Sequence, residues 1–376
     1  MLGNVSEFGV TMKCYTATVC RRSNGKGWRG VIRYKDEAGN WRNTTKSFRL
    51  AKSKAEAKRM LADWLEDIEE PQSRAKVMDY AYAYVDSKVE LRSIQPSTAQ
   101  DYRKSLKGWE PYLGNVELRG LRPQAIEDAI RDMLADLGVT TVRKRYVALK
   151  MVLDHAVASK DLRENPMDSV PRPKVAKGTP NAIVGDELER VKERVGALPM
   201  RPWVVAVNLC LYAGLRAEEV CGLQVGDIDL KKRVGWVRRS IGYAKGGSYV
   251  APTKTGRSRD FPICDQLARV LSKWLETRSG GPTDWLLGED MPAVNSIGRK
   301  WSMLCEIEEF VGRAGRKPTL HDLRHTFATR CVSSGMDVKT LQSILGHSSA
   351  AMTLDVYASP DPAAKQAAGE LIAKAI

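Results

Sequence analysis

Histidine is scarce in this 376-residue chain, yet three of its four copies, His321, His325 and His347, fall close together near the C-terminal end. In the stretch HDLRHTFATR, His321 and Arg324 stand three residues apart. On a helix that spacing puts both on one face, where they can reach a single phosphate together. Leu323 and Phe327 would anchor the opposite side. An isolated H-x-x-R pair is most often the ordinary polar face of a helix. Two other readings compete with the phosphate site. His321 and His325 have the spacing of a zinc pair, but no Glu completes H-E-x-x-H and no cysteine pair completes a tetrahedral set, so no metal is expected. Residues 332–348, VSSGMDVKTLQSILGHS, have Gly335 between two amphipathic stretches and read as a helix-turn-helix able to dock on DNA.

The surrounding residues add weight to the phosphate reading. HDLRHTFAT, followed by LQSILGHSSAAMTLDVYA and preceded by LYAGLRAEEVCGLQVGDIDL, resembles the motif boxes of the tyrosine recombinases, or phage integrases, in order, spacing and residue type. An Arg motif at Arg216, H-x-x-R at 321–324, L-G-H at 345–347 and a tyrosine ten residues later carry the resemblance. It covers residues 181–360. The helical segment before that matches only in type, and the basic N-terminal part resembles the arm-binding domains of some integrases. The resemblance implies that Arg216 and Arg324 are paired guanidiniums, His321 and His347 flanking imidazoles, and Tyr357 the nucleophile. Lys254, in PTKTGRSRDFPI, would lie on the turn of a β-hairpin. Arg257 and Arg259 compete with Lys254 there, and His325 can replace or support His321. Tyr243 and Tyr249 lie outside any matching motif.

Chemistry explains why those residue types belong together. Attack on a phosphodiester places extra negative charge on its equatorial oxygens, which rigid, permanently charged guanidiniums bind in bidentate fashion. A phenol with a pKa of about 10 is a weak nucleophile at neutral pH and needs a neighbouring base or a strong positive field, a task the resemblance leaves to His321. The departing 5′ oxygen needs a proton, and a mobile ammonium at Lys254 would serve as general acid. A 3′-phosphotyrosyl bond conserves the energy of the broken phosphodiester, so the 5′ hydroxyl of another strand can reverse the attack. No cofactor is then required, in keeping with the lack of a G-x-x-x-x-G-K-[ST] loop and of an evident carboxylate cluster. Glu219 lies three residues after Arg216, close enough to orient its guanidinium, although many such pairs are surface contacts worth little.

These residues need elements to position them. Residues 1–62 hold 14 Lys and Arg against 4 Asp and Glu, far more basic than the rest. Alternation in WRGVIRYK predicts a strand with Trp28, Ile32 and Tyr34 on one face and Arg29, Arg33 and Lys35 on the other. A turn over residues 36–40 leads to a second strand from Trp41. Ser53 and Glu56 form a capping box for a helix whose apolar stripe is Ala57, Leu61, Trp64, Leu65 and Ile68. Residues 73–166 read as helical throughout, with a start signal at Ser97-Thr98 and breaks at Gly108, Gly114, Gly138 and Asn165-Pro166. In the last of these helices Val142, Tyr146, Leu149, Leu153 and Ala156 face inward, while Arg143 and Lys150 share a flank fit either for phosphates or for solvent. His155 reads as structural. PRPKVAKGTP, residues 171–180, disfavours both helix and central strand and reads as a linker. Beyond it helices predominate, interrupted by a strand-rich patch from Arg233 to Ile263 with glycine turns at Gly246-Gly247 and Gly256.

Composition bounds the partners. Lys and Arg number 60 against 45 Asp and Glu, a formal charge of +15 that favours a polyanion. The longest apolar run, Pro202 to Leu215, falls short of the roughly 20 residues of a membrane span, so no membrane role is expected. Seven scattered cysteines without C-x-x-C spacing read as reduced, mostly buried small apolar residues. The N-terminal MLGNVSEFGV carries no secretion signal, so a cytoplasmic location is expected. The expected protein is multidomain and mainly α with small β parts. A basic arm-type module at 1–70, a small β-sheet with a helix, precedes a helical-bundle core-binding (SAM-like) domain at 73–170. After the linker, residues 181–376 form a mainly helical catalytic domain whose alanine-rich tail, Asp361 to Ile376, docks on a neighbouring subunit in this family. The resemblance implies duplex DNA as partner at core and arm-type sites, a tetramer in the synapse, accessory bending or excision factors, and integration with excision of a prophage or mobile element. Two rivals remain: a DNA-binding regulator without enzymatic activity, and a type IB topoisomerase that relaxes DNA.

Overall fold

The computed structural model describes residues 5–7, 10–12, 15–22, 27–35, 40–69, 73–176, 178–253, 256–278 and 280–347. The chain divides into two units, residues 1–175 and 176–376. Tyr357, Lys254, the turn residues 36–39 and the tail from 361 lie outside the described residues.

At the start of the first unit, β1 (Val5–Glu7) pairs with β2 (Val10–Met12). β3 (Tyr15–Arg21), β4 (Trp28–Lys35) and β5 (Trp41–Phe48) form an antiparallel sheet with β4 in the middle. The alternation expected for β4 holds: Ile32 is buried while Arg33 and Lys35 are exposed. α1 (Lys54–Glu69) covers the apolar face, where Ala57, Leu61 and Trp64 close over Ile32 and Phe48. Each large side chain so buried contributes roughly 1.5–3 kcal/mol. Ser53 Oγ accepts from the Glu56 amide at 3.1 Å, but the Glu56 carboxylate reaches the amide of Lys52 rather than that of Ser53, so the capping box is displaced by one residue. The side chain of Ile68 lies outside the described residues.

The same unit continues as a helical bundle of α2 (Val77–Glu90), α3 (Pro96–Lys107), α4 (Glu110–Leu113), α5 (Pro123–Asp136) and α6 (Val139–Ala158). α3 begins at Pro96, with extended Gln95 as its cap, one turn position ahead of the Ser97-Thr98 signal; the fixed φ of proline suits the first helical position better than a hydroxyl cap. Val142, Tyr146, Leu149, Leu153 and Ala156 of α6 are buried. Trp109 donates its indole N–H to the Arg145 carbonyl at 3.0 Å, and Tyr146 donates to the Val170 carbonyl at 2.9 Å. The Tyr80 hydroxyl bridges Asp161, at 2.8 Å, and His155, at 3.1 Å, which accounts for His155 structurally. Lys150 is held by Asp154 at 3.0 Å and Asp168 at 2.6 Å, so this one of the two basic residues on that flank is committed to carboxylates.

The second unit is built around α8 (Pro202–Tyr212), apolar on nearly every side and buried from Val204 to Leu211. A helix without a polar face belongs at the centre of a core. α7 (Gly185–Gly196) precedes it, and α9 (Ala217–Cys221), α10 (Asp265–Glu276), α11 (Val294–Ile307) and α12 (Leu320–Ser333) pack around it. α13 (Val338–Leu345) packs on α12. β6 (Ile228–Asp229), β7 (Val234–Val237) and β10 (Arg259–Pro262) make one antiparallel sheet, and β8 (Ser240–Ala244) with β9 (Gly247–Ala251) make another. β10 pairs with β7 and β9 with β8, so β9 and β10 belong to different sheets. Among the described residues no helix is long and apolar enough to cross a membrane. Of the six described cysteines, Cys210, Cys221 and Cys305 are buried, Cys20 and Cys331 partly so, and Cys264 is exposed.

Candidate active site

The turn Ala213-Gly214-Leu215-Arg216 joins α8 to α9 and determines where the first arginine points. Gly214 has φ +64, and a Cβ there would lie 2.4 Å from the Phe327 ring, so only glycine fits. That turn leaves the Gly214 carbonyl facing α12, where Arg324 Nη1 donates to it at 2.7 Å. Arg216 follows as the residue before α9, and Glu219 folds back so that its Oε2 accepts the Arg216 amide at 2.9 Å and its Oε1 accepts Arg216 Nη1 at 2.8 Å.

Glu219 is the centre of the arrangement. It is 2% exposed, and beyond Arg216 it accepts Nη1 and Nη2 of Arg259, at 3.0 and 2.7 Å, one to each oxygen. Arg324 Nη1 stands 3.9 Å from Oε2. Each carboxylate oxygen thus receives two hydrogen bonds, which fills its lone-pair sites. Burial alone would raise the Glu219 carboxyl, but the Arg259 hydrogen bonds and charge, with Arg216, hold it below the usual range. Three guanidiniums around one carboxylate leave a local excess of two positive charges. Arg324 is 3% exposed and Arg216 16%, so Arg216 offers more of its fork to an incoming anion.

α12 opens on a capping box in which the Asp322 carboxylate accepts the Thr319 amide at 2.8 Å and Thr319 Oγ1 accepts the Asp322 amide at 3.3 Å. This puts His321 in the first turn and Arg324 one turn on, the shared face expected from their spacing. His321 and His325 stack edge to face at 4.7 Å. Burial, then His325 and Arg324, push His321 down to about 4. The positive end of the α12 dipole acts in the same direction. His347 follows the left-handed Gly346 that ends α13, and burial, then Arg324 and Arg216, push it also to about 4. Both imidazoles are therefore neutral at neutral pH and able to accept a proton. A cavity of about 900 Å³ opens beside His321, lined also by Glu218, Tyr243, Arg299, Lys317 and Thr319.

The structure therefore brings Arg216, His321, Arg324 and His347 together, with His325 beside them; Lys254 and Tyr357 lie outside the described residues. α12, the turn at Gly335 and α13 do form a helix-turn-helix, but the end of α13 is committed to this site, its Ile344 and Leu345 carbonyls accepting from Arg259 at 2.8 Å and Arg324 at 2.7 Å. Two residues carry more than their sequence context suggested. Glu219 is a buried hub rather than a surface partner, and Arg259, largely enclosed, is bound into it. The available signal for Arg259 was its place two residues before buried Phe261 in β10, on the strand face that turns inward.

Residues 186–363 match the sequence profile of the phage integrase family. The chain is 24% identical over 279 residues to a tyrosine recombinase of Pseudothermotoga lettingae, covering 72% of this chain and 90% of that one. It is 32% identical over 185 residues to tyrosine recombinase XerA of Thermococcus kodakarensis, covering 48% and 59%. In fold it is similar to the Tn1549 transposon integrase solved with transposon right end DNA, with TM-score 0.65, 23% identity, and coverage of 80% of this chain and 100% of that one. It is also similar to the lambda integrase tetramer bound to a Holliday junction, with TM-score 0.60, 18% identity, and coverage of 88% and 95%. With the guanidinium and imidazole cluster falling inside them, residues 186–363 of this chain form a domain of the phage integrase family of tyrosine recombinases.

Proposed function

We propose that this site-specific recombinase cleaves one DNA strand at a time by attack of Tyr357 on a phosphodiester, holds the strand as a 3′-phosphotyrosine, and releases it to the 5′ hydroxyl of another strand. Integration and excision of a prophage or other mobile element is the process it serves. The observation that carries the reading is the gathering of Arg216 and Arg324 at the buried Glu219 carboxylate, with His321 and His347 close enough to feel the charge of both guanidiniums. Its excess of two positive charges matches the two negative charges of a pentacoordinate phosphorane. Donors held in place before the reaction stabilise that charge without reorganising.

In this reading Arg216 and Arg324 bind the non-bridging oxygens, neutral His321 takes the phenolic proton, and His347 donates to a non-bridging oxygen or to the leaving strand. Lys254 protonates the departing 5′ oxygen. An approaching phosphate raises both imidazoles from about 4, bringing them nearer to the working pH. In the bundle, Lys104, Arg143, Lys144 and Arg172 line a cavity of about 610 Å³, suited to the phosphates of a core site. The outer face of the N-terminal sheet carries Thr16, Arg33 and Asn43 in one cross-strand row, Thr18 and Thr45 either side of Val31 in the next, and Arg29 between Cys20 and Ser47 in a third, donors and acceptors suited to base edges in an arm-type site. Trp41 steadies that face by cation–π contact with Arg33 at 4.8 Å and Lys35 at 5.4 Å. Four copies, as in the lambda integrase tetramer, would make the synapse.

The test is incubation with a nicked suicide DNA substrate followed by denaturing electrophoresis. The protein and a Tyr243→Phe control should yield a covalent adduct, since Tyr243 lines the cavity beside His321 but lies in no recombinase motif. Tyr357→Phe should yield none. An adduct formed by Tyr357→Phe removes Tyr357 from the mechanism.

A further inference from the structure

Arg259 opens β10, and its guanidinium makes three hydrogen bonds within the protein. Two go to the two oxygens of Glu219, at 3.0 and 2.7 Å, and the third runs from Nε to the Ile344 carbonyl at 2.8 Å. The side chain is 10% exposed. Ile344 lies in the last turn of α13, where backbone carbonyls have no partner within the helix and the dipole favours a cation. The next carbonyl, that of Leu345, accepts from Arg324 at 2.7 Å. Gly346 then turns left-handed, and a Cβ there would stand 2.9 Å from Arg259 Cδ and 3.0 Å from its Nε. The chain just ahead of His347 is therefore pressed against the Arg259 side chain itself.

We infer that Arg259 is a positioning residue of the recombination reaction: it binds no DNA phosphate, but ties the end of α13, and so His347, to the same Glu219 carboxylate that orients Arg216. Three of its five N–H groups are used in this link. The fork shape matters, because a carboxylate taken side-on by two nitrogens together with a carbonyl taken by the third is a planar arrangement that an ammonium does not reproduce. Arg259 is thereby distinguished from Arg216, which gives Glu219 one side-chain hydrogen bond and keeps the rest of its fork for an anion.

The inference rests on the proposed strand cleavage, and the experiment separates the two. Single-turnover cleavage of the suicide substrate is measured for the unaltered protein, Arg259→Lys, His347→Gln and the double variant, alongside DNA affinity and thermal unfolding of each. If the unaltered protein forms no adduct, the proposed function fails first. If it does, Arg259→Lys should cleave roughly 10- to 100-fold more slowly with DNA affinity within about twofold, the cost of misplacing a catalytic group by about an ångström. Because Arg259 works through His347, the double variant should be no slower than His347→Gln alone, whereas groups that act independently multiply their losses. Arg259→Gln, which can serve Glu219 or Ile344 but not both, is the second variant and should slow cleavage as Arg259→Lys does. Unchanged cleavage in both variants, multiplied losses in the double variant, or loss of cooperative folding in both Arg259 variants overturns the inference; the last would assign Arg259 to fold stability alone.

Discussion

Replacing Glu219 with Gln changes one buried atom type at the point where three arginines meet. The carboxylate accepts four hydrogen bonds, from the Arg216 amide, Arg216 Nη1, and Nη1 and Nη2 of Arg259. Gln keeps one accepting oxygen, while its NH₂ group faces N–H donors, so two of the four bonds are lost. Bonds to charged groups are worth about 1.5–3 kcal/mol each. The sum agrees with the roughly 3–5 kcal/mol measured when one partner of a buried ion pair is removed. For a unit of this size each kcal/mol moves the melting temperature by roughly 2–4 °C, so Glu219→Gln should lower the transition of the second unit by about 6–20 °C. DNA affinity should move the other way, because the local positive excess rises from two charges to three. Calorimetry of the intact chain and a binding titration at fixed salt measure the two effects. A fall below about 2 °C with unchanged affinity would refute the idea that Glu219 both supports the fold and restrains the charge of the site.

Other outcomes follow from the same geometry. Arg216→Lys should slow single-turnover cleavage on the order of 10²–10³-fold, since an ammonium cannot bind two oxygens as a fork does; a loss below tenfold would place Arg216 outside the phosphate site. Burial and neighbouring cations hold His321 and His347 near about 4 in the folded chain, against an ordinary value of about 6.5 when unfolded. The unfolded chain therefore takes up protons first as pH falls, so stability is complete above about pH 6.5 and declines toward about pH 4. Melting temperatures across that range should fall less steeply in His321→Gln and His347→Gln, and equal slopes would contradict the assignment. Gly214→Ala combines left-handed strain of about 1–2 kcal/mol with a contact 2.4 Å from Phe327, for a loss of about 2–5 kcal/mol by chemical denaturation; a neutral result would show that the turn can relax.

Much of the site was legible because its cues are local. The three-residue step from His321 to Arg324 needs only the helical period, and the alternation in β4 only the strand period. Those same rules predicted the inward positions of α6 and the helix-turn-helix from α12 to α13. They are properties of residues about two to four positions apart in the chain, and any fold must respect them.

What only the tertiary structure decided lies between distant residues. Arg259 meets Glu219 across 40 positions and Ile344 across 85, and Arg324 meets Gly214 across 110. No period in the sequence joins such pairs, so whether Glu219 was a surface partner or a buried hub depended on the path of the chain between them. The same holds for β9 and β10, close in sequence yet in different sheets, and for Lys150, whose ammonium goes to Asp168 instead of to an outside anion. The sequence alone determined which groups could do phosphoryl chemistry; packing around α8 determined which of them share a carboxylate, because burying that charge is tolerated only where several cations surround it.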